Sequence, residues 1–331
     1  MPWPIIGHEW AADLLRQSIA AGRVSHAYLF CGPPQAGKTA LARMLAQALL
    51  CAEPEPPCGR CSSCTRIARN SHPDVQVIDG RGAGGRLLIE QVRALQHDAS
   101  LAPYEGRRRV FILRQMELAT PEACNALLKT LEEPPGRVTL LLTAARREML
   151  LPTIVSRCQV LELRAVPPAV VERALEARGV QEAQARLIAR LSTGRVGWAL
   201  RAAQDESLLR MRKQDFCQLL GIMAAGRVER IEAASKISRD LAVARRLLQV
   251  WTSCARDLLL LQSNGTGMVV NADELERLVP LAGTLSMAQA GELVTAMQLT
   301  AQQLAENVNA RLAIEELLLR LPYWRAAVQD S

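Results

Sequence analysis

Two short stretches of this chain hold side chains whose types and spacing suit particular chemistry. The first is Gly32-Pro33-Pro34-Gln35-Ala36-Gly37-Lys38-Thr39. Glycines at its first and sixth positions let a backbone wrap closely, so that successive N–H groups point inward at phosphate oxygens. Lys38 then reaches the β- and γ-phosphates of a nucleotide, and the Thr39 hydroxyl serves as a Mg²⁺ ligand. Gly32, Gly37, Lys38 and Thr39 are therefore the candidate nucleotide-binding residues, with ATP-Mg²⁺ the candidate ligand. The second stretch holds Cys51, Cys58, Cys61 and Cys64. Three cysteines two residues apart, with a fourth a short loop upstream, suit a tetrahedral Cys₄ zinc site. Four thiolates leave no open coordination position, so such a site is structural rather than catalytic.

The elements around these residues read in the order that their chemistry requires. Ala27–Cys31 is a short apolar run, a buried strand leading into the glycine loop. Ala40–Leu50, rich in Ala and Leu, is a helix leaving it, with the positive end of the helix facing any bound phosphate. Upstream, Trp10, Leu14, Leu15 and Ile19 recur at helical spacing. Lone histidines such as His8 and His26 read as hydrogen-bonded structural residues. Downstream come strands over Val75–Asp79, Val110–Leu113, Val138–Thr143 and Gln159–Leu163. Helices alternate with them over Leu87–Ala99 and Glu122–Glu133, the latter stopped by Pro134-Pro135. This alternation predicts an α/β domain with a parallel sheet and helices on both faces.

One catalytic element is missing. In P-loop ATPases the strand corresponding to Val110–Leu113 ends in Asp-Glu, which hold the Mg²⁺ shell and polarise the attacking water. Here the next residues are Arg114 and Gln115. Arg114 cannot serve a cation and Gln115 cannot act as a base. Glu117, two residues on, is expected on a different face. The sequence offers a phosphate cradle without visible hydrolytic machinery, so nucleotide binding stays open and turnover by this chain is not expected. There is also no carboxylate constellation suited to two-metal nucleotidyl transfer.

Composition sets the outer bounds. At 331 residues, two or three domains are expected. The chain is 49% hydrophobic but only 3% aromatic, an Ala/Leu-rich balance that favours helices. A net charge of +7 is compatible with nearby DNA without requiring it. No apolar run approaches bilayer length, and Met1-Pro2-Trp3-Pro4 does not open a signal peptide, so a cytoplasmic protein without membrane contact is expected. Its nine cysteines are then reduced or metal-bound.

Together, several stretches resemble the clamp-loader branch of the AAA+ ATPases. They are His26–Thr39, the four-cysteine knuckle, Asn125–Pro135, Ser156-Arg157-Cys158, and Asn307-Val308-Asn309-Ala310-Arg311-Leu312-Ala313-Ile314-Glu315-Glu316. In that family two bacterial DNA polymerase III subunit types compete, the tau or gamma motor and delta-prime. The motor keeps Asp-Glu where this chain has Arg114-Gln115. The motor's helical lid carries a γ-phosphate-sensing arginine in a Gly-x-x-Arg-x-Ala-Leu context. This chain reads Gly194-Arg195-Val196-Gly197-Trp198-Ala199-Leu200, with Gly197 at the sensor position. Thr143-Ala144-Ala145 is a poor polar sensor, and the sequence lacks the long extension of the full motor form. These departures resemble the delta-prime type. The ATP-hydrolysing motor type is the alternative, since an intact P-loop departs from those delta-prime subunits that have lost it.

The resemblance implies an AAA+ P-loop domain over residues 1–166 carrying the zinc module at 51–64. It implies a helical lid over 167–205 and an all-α collar over 206–331 that joins five subunits. By spacing alone, the C-terminal half is only a helical bundle. Its helices are expected over Leu208–Ala225, Val228–Asn264 with an interruption, Asp273–Val279 closed by Pro280, and Ala288–Leu321. Leu293, Met297, Leu304, Val308, Leu312, Leu317 and Leu319 are expected to form its core stripe. The resemblance further implies that Arg157 is an arginine finger, projecting in trans into a neighbouring subunit's ATP site. The implied partners are the motor and delta subunits, the sliding clamp, and primed DNA through the assembled complex. Any enzyme class would belong to the polymerase holoenzyme rather than to chemistry in this chain.

Overall fold

The computed structural model describes residues 3–82, 85–306 and 308–324. Met1 and Pro2, Ala83 and Gly84, Asn307 of the C-terminal motif, and residues 325–331 of the implied collar lie outside the described residues. The chain divides into two compact units. One comprises Met1–Ala174 and Gly194–Trp198, the other Leu175–Thr193 and Ala199–Ser331.

The first unit is a layered α/β structure. In chain order it holds α1 (Glu9–Ala20), β1 (Ala27–Cys31), α2 (Lys38–Leu50), α3 (Ser62–Ala68), β2 (Val75–Ile78) and α4 (Ile89–Ser100). Next come β3 (Arg109–Leu113), α5 (Pro121–Glu132), β4 (Val138–Ala144), α6 (Pro152–Val155) and β5 (Gln159–Glu162). The five strands are all parallel, in the order β2-β3-β4-β1-β5. Every residue of β1 and β4 is buried, the continuous apolar pattern that a sheet covered on both faces requires. Side-chain alternation sends Tyr28, Phe30, Val110, Ile112 and Leu141 against α1, α2 and α3. Ala27, Leu29, Phe111, Leu140 and Leu142 face α4, α5 and α6.

One helix face departs from its reading. Trp10 and Leu14 of α1 are exposed at 51% and 38%, and the buried stripe is Ala11, Ala12 and Leu15. Alanines that let α1 approach closely define the packing face, and the larger side chains lie outside it.

Of the run Arg107-Arg108-Arg109 that leads into β3, Arg108 and Arg109 are tied into the fold around buried Asp74. Asp74 accepts the backbone N–H groups of Tyr104, Glu105 and Gly106 at 2.6, 3.0 and 2.7 Å. Burial alone would raise its carboxyl pKa, but these three donors hold it below the ordinary carboxylate range. Arg108 donates to the Thr139 hydroxyl at 3.0 Å and Arg109 to the Ala102 carbonyl at 3.2 Å.

The chain continues with α7 (Pro168–Glu176), α8 (Glu182–Ser192), α9 (Val196–Gln204), α10 (Ser207–Ala224), α11 (Arg227–Ile237) and α12 (Leu241–Gln262). It ends with α13 (Leu275–Thr284), α14 (Met287–Ala305) and α15 (Ala310–Arg320). In the second unit Trp251 sits at the centre, its indole donating to the Asp215 carbonyl at 2.9 Å. Arg230 is buried and spends its guanidinium on backbone carbonyls of two helix ends, among them Met223 at 2.9 Å and Leu318 at 3.1 Å. An interruption within 228–264 is present as the break between α11 and α12, with Asp240 capping α12.

Two expectations fail in this unit. Pro280 does not close its helix but lies inside α13. The stretch 288–321 is two helices, because Asn309 caps a new start. That break changes the helical phase. Leu293, Met297, Leu304 and Leu317 stay buried, while Val308, Leu312 and Leu319 are exposed at 45%, 61% and 43%. No helix among the described residues is long and apolar enough to cross a membrane.

Candidate nucleotide cleft and metal centre

The glycine loop leaves the buried end of β1 and delivers α2. Gly32 has φ +146°, and a Cβ there would lie 2.2 Å from the Leu163 carbonyl oxygen, so no larger residue fits. Gln35 and Gly37 are left-handed at φ 63° and 108°, and Gly37 caps α2. Alternating hands of this kind make a concave run of N–H groups at a helix N-terminus. His8, buried at the start of α1, lies with its Nε2 3.1 Å from the Ala36 carbonyl and donates to it from inside the fold. Burial pushes its pKa down, so it is neutral at physiological pH. Lys38 Nζ donates to the Gly32 and Pro33 carbonyls at 2.5 and 2.8 Å. Burial lowers its pKa, with the charge of Glu117 opposing.

The accessory positions are occupied by groups with other commitments. Arg114 pairs with Asp79 at 3.1 Å. Gln115 is left-handed at φ 54°, and its N–H is accepted by the Thr143 hydroxyl at 3.1 Å. Thr143 is thereby used on the backbone, and it is buried within β4. Gly197 packs directly on the loop. Its N–H donates to the Gln35 carbonyl at 2.9 Å, and a Cβ would stand 3.1 Å from the same oxygen. The Arg195 guanidinium lies over the Trp198 ring, 5.7 Å from its centroid.

Glu117 corrects the sequence reading. It was expected on another face, yet its carboxylate is close enough to act electrostatically on both Lys38 and Cys31. The left-handed Gln115 redirects the chain into a single 3₁₀ turn, Met116–Leu118, with Met116 buried beneath it. Nothing in the local sequence marks that turn. His8 was placed correctly as structural, but its link to the loop carbonyl depends on a contact across 28 positions.

Arg157 stands apart from this cleft, between α6 and β5. Its guanidinium pairs with Glu132 at the end of α5 at 2.9 Å and donates to the Thr153 carbonyl at 3.0 Å. Its side chain is 35% exposed.

The four cysteines converge as their spacing predicts. All four Sγ atoms lie within 4.8 Å of one another, with Cys51 and Cys61 at 3.9 Å. Tetrahedral Zn–S bonds of about 2.3 Å place sulfurs roughly 3.8 Å apart, so the donor set fits a structural zinc ion. Cys58 Sγ accepts the Cys61 N–H at 3.3 Å. The N–H groups of Cys61 and Arg60 draw its pKa down to about 6, favouring the thiolate that a metal needs. Burial pushes the Cys51 and Cys64 thiols up.

Residues 7–167 match the family model described as DNA polymerase III, delta subunit. The chain is also 32% identical over 254 residues to the DNA polymerase III subunit delta' of Pseudomonas aeruginosa, spanning 76% of this chain and 73% of that one. The chain belongs to the delta-prime family of DNA polymerase III subunits. A DNA polymerase III subunit gamma/tau from Mycobacterium bovis is 39% identical over 178 residues, or 53% of this chain. The match spans only 30% of that relative's length. A solved structure of a DNA polymerase III gamma subunit-related protein from Thermotoga maritima has a TM-score of 0.51 at 20% identity. It covers 93% of this chain and 97% of its own, which supports the fold. Within the delta-prime family, this chain therefore combines an intact phosphate loop with accessory positions bound up in the fold.

Proposed function

We propose that this chain acts as the delta-prime-type subunit of a bacterial DNA polymerase III clamp loader. It assembles with motor (tau/gamma) and delta subunits in the cytoplasm, and the complex opens the sliding clamp and places it on primed DNA. Arg157 is its catalytic contribution, an arginine finger reaching the ATP of the adjacent motor subunit. The guanidinium suits that role because it is one-third exposed and steadied at a helix end by Glu132. Gly32, Gly37, Lys38 and Thr39 hold ATP-Mg²⁺ without turning it over. Residues 1–166 form the P-loop domain with its zinc module, 167–205 the lid and 206–331 the collar.

The observation that carries this reading is the state of the cleft. The loop keeps its cradle, while Arg114, Thr143 and Gly197 are each engaged by the fold where a motor needs an acid, a polar sensor and an arginine. The motor reading draws on the higher identity to gamma/tau, 39% over 178 residues. ATP turnover by the isolated chain separates the two.

The decisive test of the finger is DNA-stimulated ATPase of the reconstituted complex, with Arg157→Ala against wild type. Loss of one finger is expected to slow the adjacent site by roughly 10³-fold or more while the complex still assembles. Unchanged turnover of an assembled complex removes the finger assignment.

A further inference from the structure

The acidic pair that normally ends the strand before the cation site is absent, yet a carboxylate does reach this cleft by another route. Glu117 lies in the turn just beyond β3, at the same edge of the sheet as the phosphate loop, since β3, β4 and β1 are consecutive neighbours. The turn is fixed from below by buried Met116 and from behind by the Gln115 N–H on Thr143. Leu118 closes it by donating to the Gln115 carbonyl at 2.8 Å.

One carboxylate oxygen of Glu117, Oε2, is buried and has no hydrogen-bond partner. A buried, unpartnered carboxylate oxygen is costly and needs a compensating group. The other carboxylates whose charge reaches Cys31 are Glu148 and Glu162, and both are ion-paired to Arg147, at 3.0 and 3.2 Å. Lys38 feels the charge of Glu117 but makes its hydrogen bonds to loop carbonyls. Of the three carboxylates whose charge reaches Cys31, Glu117, whose charge also reaches Lys38, is thus the one with a buried, unpartnered oxygen.

We propose that Glu117 is the carboxylate of the Mg²⁺ site in this cleft, replacing the acidic pair lost at Arg114 and Gln115. This rests on the reading of the cleft as a nucleotide site. Mg²⁺ in such sites is held by one or two carboxylates together with substrate phosphates and waters. Thr39 supplies the hydroxyl from the loop side and Glu117 the carboxylate from the β3 side. The site so completed selects the magnesium complex of a nucleoside triphosphate over the free anion. It provides no general base, because the position for one holds Gln115. Without the metal, the same carboxylate repels the phosphates that Lys38 attracts.

The test is equilibrium binding of ATP to the full chain by calorimetry, with excess Mg²⁺ or with EDTA, for wild type and Glu117→Gln. Wild type is expected to bind ATP at least roughly tenfold more tightly with Mg²⁺ than with EDTA. Glu117→Gln is expected to lose that preference and to bind metal-free ATP no more weakly than wild type. If Glu117→Gln keeps the full Mg²⁺ preference, Glu117 is only a counter-charge for Lys38 and the inference fails, while the nucleotide reading stands. If wild type binds no ATP under either condition, both fail. If Glu117→Gln does not fold, Glu117→Cys replaces it. A thiolate is expected to bind ATP better with Cd²⁺ than with Mg²⁺, and an unchanged metal preference overturns the inference.

Discussion

The cysteine cluster and the phosphate cleft lie in the same unit, yet they are complete in different senses. Cys51, Cys58, Cys61 and Cys64 bring every ligand of their centre from one stretch, and their sulfurs meet within 4.8 Å. The cleft draws its cradle from one stretch but its accessory groups from the ends of β3 and β4 and from the returning segment Gly194–Trp198. A local site is gained or lost as a whole. A distributed site can keep one part while the others differ: here the cradle is present, while Arg114 sits in an exposed ion pair with Asp79, Thr143 accepts the Gln115 N–H and Gly197 packs on the loop.

That contrast predicts where substitution hurts most. Cys58→Ser opens the closed centre. Zinc content is expected to fall from stoichiometric to near zero, and the Tm by about 5–10 °C, on a scale of roughly 2–4 °C per kcal/mol for a unit of this size. Metal analysis and calorimetry check both. A variant that keeps its metal and its Tm breaks the comparison, since the cluster would then not be a closed structural centre.

A smaller effect is expected at His8, which ties α1 to the loop. Its folded pKa lies below the ordinary value of 6.5, through burial, so the unfolded chain binds the extra proton. Stability is therefore lost as pH falls through about 6.5 and is retained above it. His72, also lowered by burial, acts in the same direction. Between about pH 7.5 and pH 5.5 the Tm of wild type is expected to drop by a few degrees. His8→Gln keeps a donor for the Ala36 carbonyl and is expected to show a distinctly smaller drop. An identical pH profile for the two would mean that His8 does not govern the loop's anchoring.

The same distinction between local and distributed explains what was legible in the sequence. The five strands, their flanking helices, the glycine loop and the cysteine centre all rest on patterns within a few residues, and each is found close to its expected place. The Arg114–Gln115 departure was equally visible. Glu117 was not, because its position depends on a left-handed residue at Gln115, where no glycine or asparagine signals the turn. The exposure of Trp10 and Leu14 was hidden because alanines, which carry little weight in a hydrophobic pattern, make the contact. The α14–α15 break was hidden because apolar spacing runs on across it, and only the Asn309 cap resets the phase.

On the proposed reading, the cleft binds ATP-Mg²⁺ and leaves it intact. The most direct measurement uses isolated chain in excess over γ-labelled ATP with Mg²⁺, following both bound nucleotide and released phosphate, with Lys38→Ala as control. ATP is expected to be bound by wild type, lost in Lys38→Ala, and recovered unhydrolysed. Phosphate release by wild type that disappears in Lys38→Ala would contradict that reading and make this chain a motor.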